Sequence, residues 1–149
     1  MAAQAWKVYD EAKDAIGSAG LDLSSQGLWQ IALFKSTSNV ATETLSLYSE
    51  LISEVDNGNG YLTKGSTLAG ITWLTGASAG EMRFDCTDPY WSCDTANITS
   101  IQFAVIYAST SAGGGPLLCY SSLSSSVFVV TPTNRLTLNI SANGVLELN

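Results

Sequence analysis

The sequence predicts a mainly β protein, an antiparallel β-sandwich or barrel of about seven to eight strands with an N-terminal helix. Short apolar runs alternating at period two recur along the chain, and turns rich in Gly, Asn and Ser separate them. The longest run, Asn97 to Ala108, reads as a central strand on which the rest is assembled. Ile101, Phe103, Val105 and Tyr107 fall on one face, and Gln102, Ala104, Ile106 and Ala108 on the other. Such a strand packs one side fully and sits against small neighbours on the other.

From Ala2 to Ile16, the residues Trp6, Tyr9, Ala12 and Ile16 recur at helical steps, with Lys7, Asp10, Glu11 and Asp14 between them. This predicts an amphipathic helix, stopped by Gly17 and Gly20. Its apolar stripe either covers the sheet of its own domain or forms an arm that docks on a neighbouring subunit, so Trp6, Tyr9 and Ile16 are candidate interaction residues. Residues 21–27 form a turn-rich connector, and Leu28 to Lys35 is a strand with Trp29, Ile31 and Leu33 on one face. After a polar loop from Ser36 to Thr42, the spacing of Leu45, Tyr48, Leu51, Ile52 and Val55 suits a short helix or an irregular strand. Asp56-Asn57-Gly58-Asn59-Gly60 is a turn, because Asn and Gly tolerate positive φ. Strands follow at Leu68 to Leu74 and Glu81 to Asp85, then a loop with Pro89, Tyr90 and Trp91, then the central strand. Gly113-Gly114-Gly115-Pro116 breaks the chain, and Leu117 to Tyr120 returns as the second arm of a wide hairpin. Ser121 to Ser126 is a polar turn, Val127 to Val130 and Leu136 to Ile140 are short strands, and Asn143-Gly144 turns the chain into Val145 to Leu148.

A chain of 149 residues is read as a single β-rich domain over residues 1–149, with residues 1–20 as the helix or docking arm. A domain of this size buries roughly two thirds of its unfolded surface, so neither metal nor disulfide is required to hold its core. Charged residues make up 13%, below the ~25% usual in globular domains. Much of the polar surface is therefore neutral, which suits a protein packed against others. A formal net charge of −7 leaves no basic stripe, so a nucleic-acid partner is not expected. The charged residues around Lys7 to Asp14 stand where a secretion signal needs an apolar core, and no apolar run approaches the ~20 residues of a membrane span. The expected location is the cytosol, with exit by cell lysis. The sequons at Asn97 and Asn139 are read as strand residues.

With no histidine in the chain, Ser-His and Cys-His nucleophile systems are excluded, and the GxSxG, SxxK and P-loop spacings are absent. Hydrolysis by paired carboxylates among Glu81, Asp85, Asp88 and Asp94 is the remaining enzymatic option. Solvated strand ends explain the same residues more simply, and the chain is read as non-enzymatic. Asp56 to Tyr61 partly matches a calcium loop, but Gly58 occupies the third position and Thr67 the twelfth, so a plain turn is preferred and no cofactor is expected. Cys86, Cys93 and Cys119 form an odd set without CxxC, which argues against zinc and for buried free thiols. Tyr90 and Trp91, flanked by Asp88 and Asp94, form either an aromatic platform for a sugar ring or a plug at the end of the sandwich or at a seam between subunits.

Three stretches together resemble a family of small β-sandwich proteins encoded near the capsid genes of tailed bacteriophages. The entry helix running through Gly20-Leu21-Asp22-Leu23 into Ile31-Ala32-Leu33-Phe34-Lys35-Ser36 is similar to the family's helix, connector and -ALYTS- opening. Glu54-Val55, Gly58-Asn59-Gly60-Tyr61 and Gly65 resemble its Glu-Val-x-Gly-x-Gly-Tyr-x-x-Gly-Gly segment, with Ser66 in place of the second Gly. Phe84-Asp85 and Ala104-Val105-Ile106-Tyr107 resemble its Phe-Asp segment and Ala-Val-Ile-Tyr strand. The Cys86 to Asp94 loop is longer than the family pattern. The resemblance implies a virion component without catalytic residues, a capsid decoration or cement protein that binds the major capsid protein. The expected location is then the capsid surface, after assembly in the host cytoplasm. A tail, baseplate or fibre attachment component, or a carbohydrate-binding host-recognition module, is the alternative. A homo-oligomer is expected, a trimer suiting a local three-fold position.

Overall fold

The computed structural model describes residues 4–109 and 115–148; Ala2 and the Gly113-Gly114 part of the expected break lie outside them. In chain order the elements are β1 (Lys7–Val8), α1 (Asp10–Gly17), β2 (Trp29–Lys35), a 3-10 turn (Tyr48–Glu50), β3 (Ser66–Thr67), β4 (Thr72–Thr75), β5 (Met82–Asp85), β6 (Tyr90–Ser92), β7 (Ile98–Ala108), β8 (Leu117–Ser122), β9 (Phe128–Val130), β10 (Arg135–Thr137) and β11 (Leu146–Leu148). The fold is mainly β, with antiparallel sheets in a sandwich-like arrangement and one α-helix near the N-terminus. A six-stranded sheet runs in the order β1-β8-β7-β2-β3, with β9 paired to the start of β7; a three-stranded sheet β11-β5-β4 and the pair β10-β6 complete it.

The pairing of β2 with β7 sorts the core into two faces, because directly opposed residues share a side. Trp29 lies opposite Ala108, Ile31 opposite Ile106 and Leu33 opposite Ala104. The two alanines leave room for Trp29, whose ring meets Phe84 of β5 edge-on at 5.5 Å between centroids. That face is therefore covered by the three-stranded sheet. On the other face Ala32, Val105 and Tyr120 are aligned, with Phe34 opposite Phe103 and Gln30 opposite Tyr107. Tyr9 packs its ring 5.2 Å from Tyr120, and Tyr48 stacks on Tyr107 at 4.2 Å and meets Phe34 at 6.2 Å. The N-terminal segment and the loop after β2 thus cover the Phe103, Val105 and Tyr107 face, the three-stranded sheet covers the Ala104, Ile106 and Ala108 face for which only small neighbours were expected, and β7 is buried on both faces.

Period two fails near the start of β7, where the register against β2 also shifts, with Phe34 opposite Phe103 but Lys35 opposite Ile101, so Ile101 and Phe103 do not share the face expected of them. Ile98 and Ile101 are three residues apart and both buried, because the register against β9 shifts between them where Ser100 takes φ 62°. This bulge re-aims the start of the strand.

The N-terminal helix is shorter than its periodicity indicated. Lys7 and Val8 pair with Tyr120 and Cys119, and the Gln4 amide donates to the Ser122 carbonyl at 2.8 Å. Trp6, Val8 and Tyr9 favour extended structure, and the open edge of β8 offers backbone partners that a solvated first turn lacks. The helix begins only at Asp10, with Asp10 and Glu11 in its first turn, where they suit the positive end of the dipole. Of the stretch Leu45 to Val55, only Tyr48–Glu50 is helical, as a 3-10 turn. Of the expected strand Leu68 to Leu74 only Thr72 to Leu74 is strand, within β4; Ser66 and Thr67, just before the expected start, form β3 in a different sheet. Tyr90 and Trp91 lie in β6 and not in a loop, paired with Thr137 and Leu136. Ser121 and Ser122 extend β8, and residues 138–140 fall outside strands.

Gly27 and Gly65 share φ +75°, but a Cβ at Gly27 meets nothing within 4 Å, whereas one at Gly65 lies 1.9 Å from the Ile31 carbonyl oxygen. Gly27→Ala should cost about 1–2 kcal/mol from backbone conformation alone. Gly65→Ala should cost on the order of 3–5 kcal/mol, because the β2 backbone must also move. Chemical denaturation of the two variants checks this; equal losses would contradict the close approach.

Candidate functional site

The segment that follows β2 returns along its edge: the Lys35 amide donates to the Ser53 carbonyl and the Val55 amide to the Leu33 carbonyl, each at 2.9 Å. This brings Glu54 over a group of tyrosines. Its carboxylate accepts from the Tyr61 hydroxyl at 2.6 Å, from the Lys64 amide at 2.6 Å and from the Tyr48 hydroxyl. Tyr61 in turn accepts from the Leu33 amide at 2.9 Å, and Tyr107 donates to the Lys64 carbonyl at 2.8 Å. A Cβ on Gly60 would stand 1.8 Å from the Ser92 carbonyl oxygen, so that position accepts only glycine. Glu54, Gly60, Tyr61 and Gly65 therefore form a clamp that fastens the 54–65 loop to β2. Burial raises the Tyr61 and Tyr48 phenols well above their ordinary range, with Glu54 adding to both. Burial, and after it Glu54, pushes Tyr107 up to about 12.

The candidate interaction residues are not gathered in one place. Tyr9 is fully buried, its hydroxyl donating to the Val40 carbonyl at 2.8 Å, and burial, then Tyr120, holds its phenol well above the usual value. Trp6 is half-buried and forms a wall between two clefts. One, of about 270 Å³, includes Leu123, Phe128, Leu136 and Ile140; the other, of about 540 Å³, includes Val8, Val145 and Leu146. Ile16 lines a third cleft with Leu21, Trp73 and Leu148. The apolar stripe of the N-terminus thus packs on its own domain.

Tyr90 and Trp91 are adjacent on β6 and point to opposite sides. Trp91 is only 2% exposed and packs against Tyr61 with centroids 6.3 Å apart, so it belongs to the core and not to a platform. Tyr90 is 56% exposed, with the Arg135 guanidinium 4.9 Å from its ring centroid. It borders a cleft of about 340 Å³ whose walls include Ser66, Thr67, Thr87, Asp88 and Pro89. Asp94 lies elsewhere, its amide donating to the Asn59 carbonyl at 3.1 Å. Ser66, Thr67 and Arg135 had no signal in the sequence, since only the folded sheets bring them to Tyr90.

Three of the four carboxylates considered for catalysis accept backbone amides: Glu81 from Ser78 at 2.7 Å, Asp85 from Cys86 at 2.8 Å and Asp88 from Ile140 at 2.8 Å. In the Asn-Gly turn, Asp56 pairs with Lys35 at 2.8 Å and Asn57 accepts from the Thr63 amide at 3.1 Å. Among the described residues no group of three or more Asp, Glu or Cys side chains is placed to hold a metal ion. Cys86, Cys93 and Cys119 are buried and free. Burial, then Asp85 and Asp88, pushes the Cys86 thiol up to about 12, and burial raises Cys119 as well. Among the described residues no helix is long and apolar enough to cross a membrane. Comparison with protein-family models, curated protein sequences and solved structures finds no match to this chain.

Two predictions follow from this chemistry. Phenols whose folded-state pKa is raised stabilise the fold fully below their unfolded value near pH 10, and that contribution is lost as pH rises beyond it. Stability should then fall above about pH 10 by roughly 1.4 kcal/mol per pH unit for each of the fully buried Tyr9 and Tyr61. Tyr61→Phe should reduce that slope and cost about 1–3 kcal/mol at neutral pH, because the Leu33 amide loses its acceptor; urea titrations at pH 7 and above pH 10 check both. For the thiols, the intact mass of freshly purified protein should show no loss of two hydrogens. A thiol reagent should modify all three cysteines only after unfolding.

Proposed function

We propose that this protein is a non-enzymatic virion component, a capsid decoration protein that binds the major capsid protein in many copies and stabilises the head. The observation that carries the reading is the surface. Ile52, Leu62, Leu74 and Val127 are 57%, 67%, 52% and 50% exposed on separate loops and edges, in a chain with only 13% charged residues. Isolated apolar side chains among neutral polar groups suit a broad contact in which each interaction is weak. Repetition over a shell makes the sum large. The resemblance to phage proteins encoded near capsid genes points the same way, and it rests on residues that here build the fold.

Quantifying the protein against the major capsid protein in purified virions tests the proposal. The expected ratio lies between about one-to-one and one-to-three, as for a decoration lattice with closed local symmetry. Particles lacking the protein should release their genome at lower temperature, and adding it back should restore them. Leu62→Asp should leave the melting temperature unchanged while weakening attachment. A handful of copies per particle would instead assign the protein to the tail or its fibres.

A further inference from the structure

We propose that the cleft beside Tyr90 is a binding site for a neutral glycan. The inference stands apart from the capsid reading and concerns the isolated protein. A sugar ring offers a C–H face and a rim of hydroxyls that both donate and accept. The site that recognises it needs an aromatic face beside hydrogen-bonding groups of both kinds. Tyr90 supplies the ring. It is more than half exposed yet held in place, because Arg135 lies 4.9 Å from its centroid on the neighbouring strand, where Thr137 is paired with Tyr90. A ring fixed before binding loses less conformational entropy when a ligand stacks on it.

The polar groups stand on the walls of the same cleft. Asp88 is oriented by the Ile140 amide, which donates to its Oδ1 at 2.8 Å; its Oδ2 is engaged by no described residue and can accept from a sugar hydroxyl. Thr67 already accepts from the Gln30 side-chain amide at 3.2 Å, which leaves its hydroxyl proton to donate outward. Ser66 and Thr87 are further residues of the walls. The volume of about 340 Å³ lies near the lower end of the roughly 300–1,000 Å³ of small-molecule sites and suits one or two rings. A carboxylate in the cleft, a net charge of −7 and the engagement of the Arg135 guanidinium by the Tyr90 ring select a neutral sugar over a sialylated or sulfated one. The pair read from the sequence as the platform is thus reduced to Tyr90, and its partners come from β3 and the segment before β6.

The full-length protein applied to an array of immobilised neutral and acidic oligosaccharides tests this, followed by titration of the best-bound free oligosaccharide with amide NMR. Neutral members should bind, and the shifted amides should cluster at residues 66–69 and 87–90. Tyr90→Ala should weaken binding at least tenfold without changing the melting temperature, and Tyr90→Trp should retain it. Asp88→Asn, which keeps an oxygen for the Ile140 amide, should weaken it several-fold. Absence of binding across the array, binding of acidic sugars alone, or neutral-sugar binding indifferent to Tyr90→Ala would overturn the proposal.

Discussion

The ladder between β2 and β7 runs from Trp29 against Ala108 to Lys35 against Ile101, and the residues on both of its faces are withdrawn from water. A sheet apolar on both sides demands two covers. One is the three-stranded sheet, which brings Phe84 to Trp29. The other is assembled from pieces without regular structure of their own: Tyr9 ahead of the helix, Val40 in the loop, and Tyr48 in a single 3-10 turn. These pieces form no sheet of their own; single backbone bonds hold them, from the Tyr9 amide to the Leu118 carbonyl at 3.1 Å and from the Tyr48 amide to the Gly115 carbonyl at 2.7 Å, and side chains complete their attachment to the central ladder.

That requirement explains why polar chemistry appears so deep in the fold. Glu54 is drawn over the ladder by the pairing of residues 53 and 55 with β2, and a carboxylate held there needs donors. Tyr48, Tyr61 and the Lys64 amide supply them. The same tyrosines pack their rings on Tyr107, Phe34 and Trp91, so one set of side chains satisfies the charge and fills the space. Gly60 and Gly65 let the loop backbone come within contact of Ser92 and Ile31. The loop is ordered by this close approach and by the Glu54 bonds.

Fold class was legible because the signals behind it are local. Alternation located β2, β5, β7 and β8 to within a few residues, and the Asn-Gly stretches turn as expected, with the Gly58 amide donating to the Tyr61 carbonyl at 2.7 Å. The failures share a cause. Trp6 to Tyr9 carries a helical repeat, yet the unpaired edge of β8, contributed by residues more than a hundred positions later, claims its backbone. Tyr90 and Trp91 looked alike in sequence, and only pairing with β10 decides which faces outward. Glu54 and the Gly58 to Gly65 stretch stood out in the sequence, but the chemistry of the clamp depends on tyrosines spread from 48 to 107, a distance that no local pattern encodes. Of the candidate site at the surface, Tyr90 and Asp88 were readable; Arg135, Ser66 and Thr67 were not.

The distribution of charge limits what this surface can meet. Lys7, Lys13 and Lys35 are each in an ion pair with a carboxylate of the same chain, Arg83 donates to the Ala142 carbonyl at 2.6 Å, and Arg135 lies over Tyr90. The exposed pairs contribute little stability, on the order of 0–1 kcal/mol each. Their effect is instead to neutralise Lys7, Lys13 and Lys35 against carboxylates at the surface, and with 13 Asp and Glu against 6 Lys and Arg the excess of carboxylates sets the outer potential. An approaching copy of the same chain meets like charge once it comes within the screening length of about 8 Å at physiological salt. Attraction at closer range must then come from groups that carry no charge, the hydroxyls and amides of Ser, Thr and Asn and the isolated apolar side chains between them. A neutral partner meets no such opposition at a distance, and a cationic one is drawn in, so the surface discriminates among partners before any contact forms.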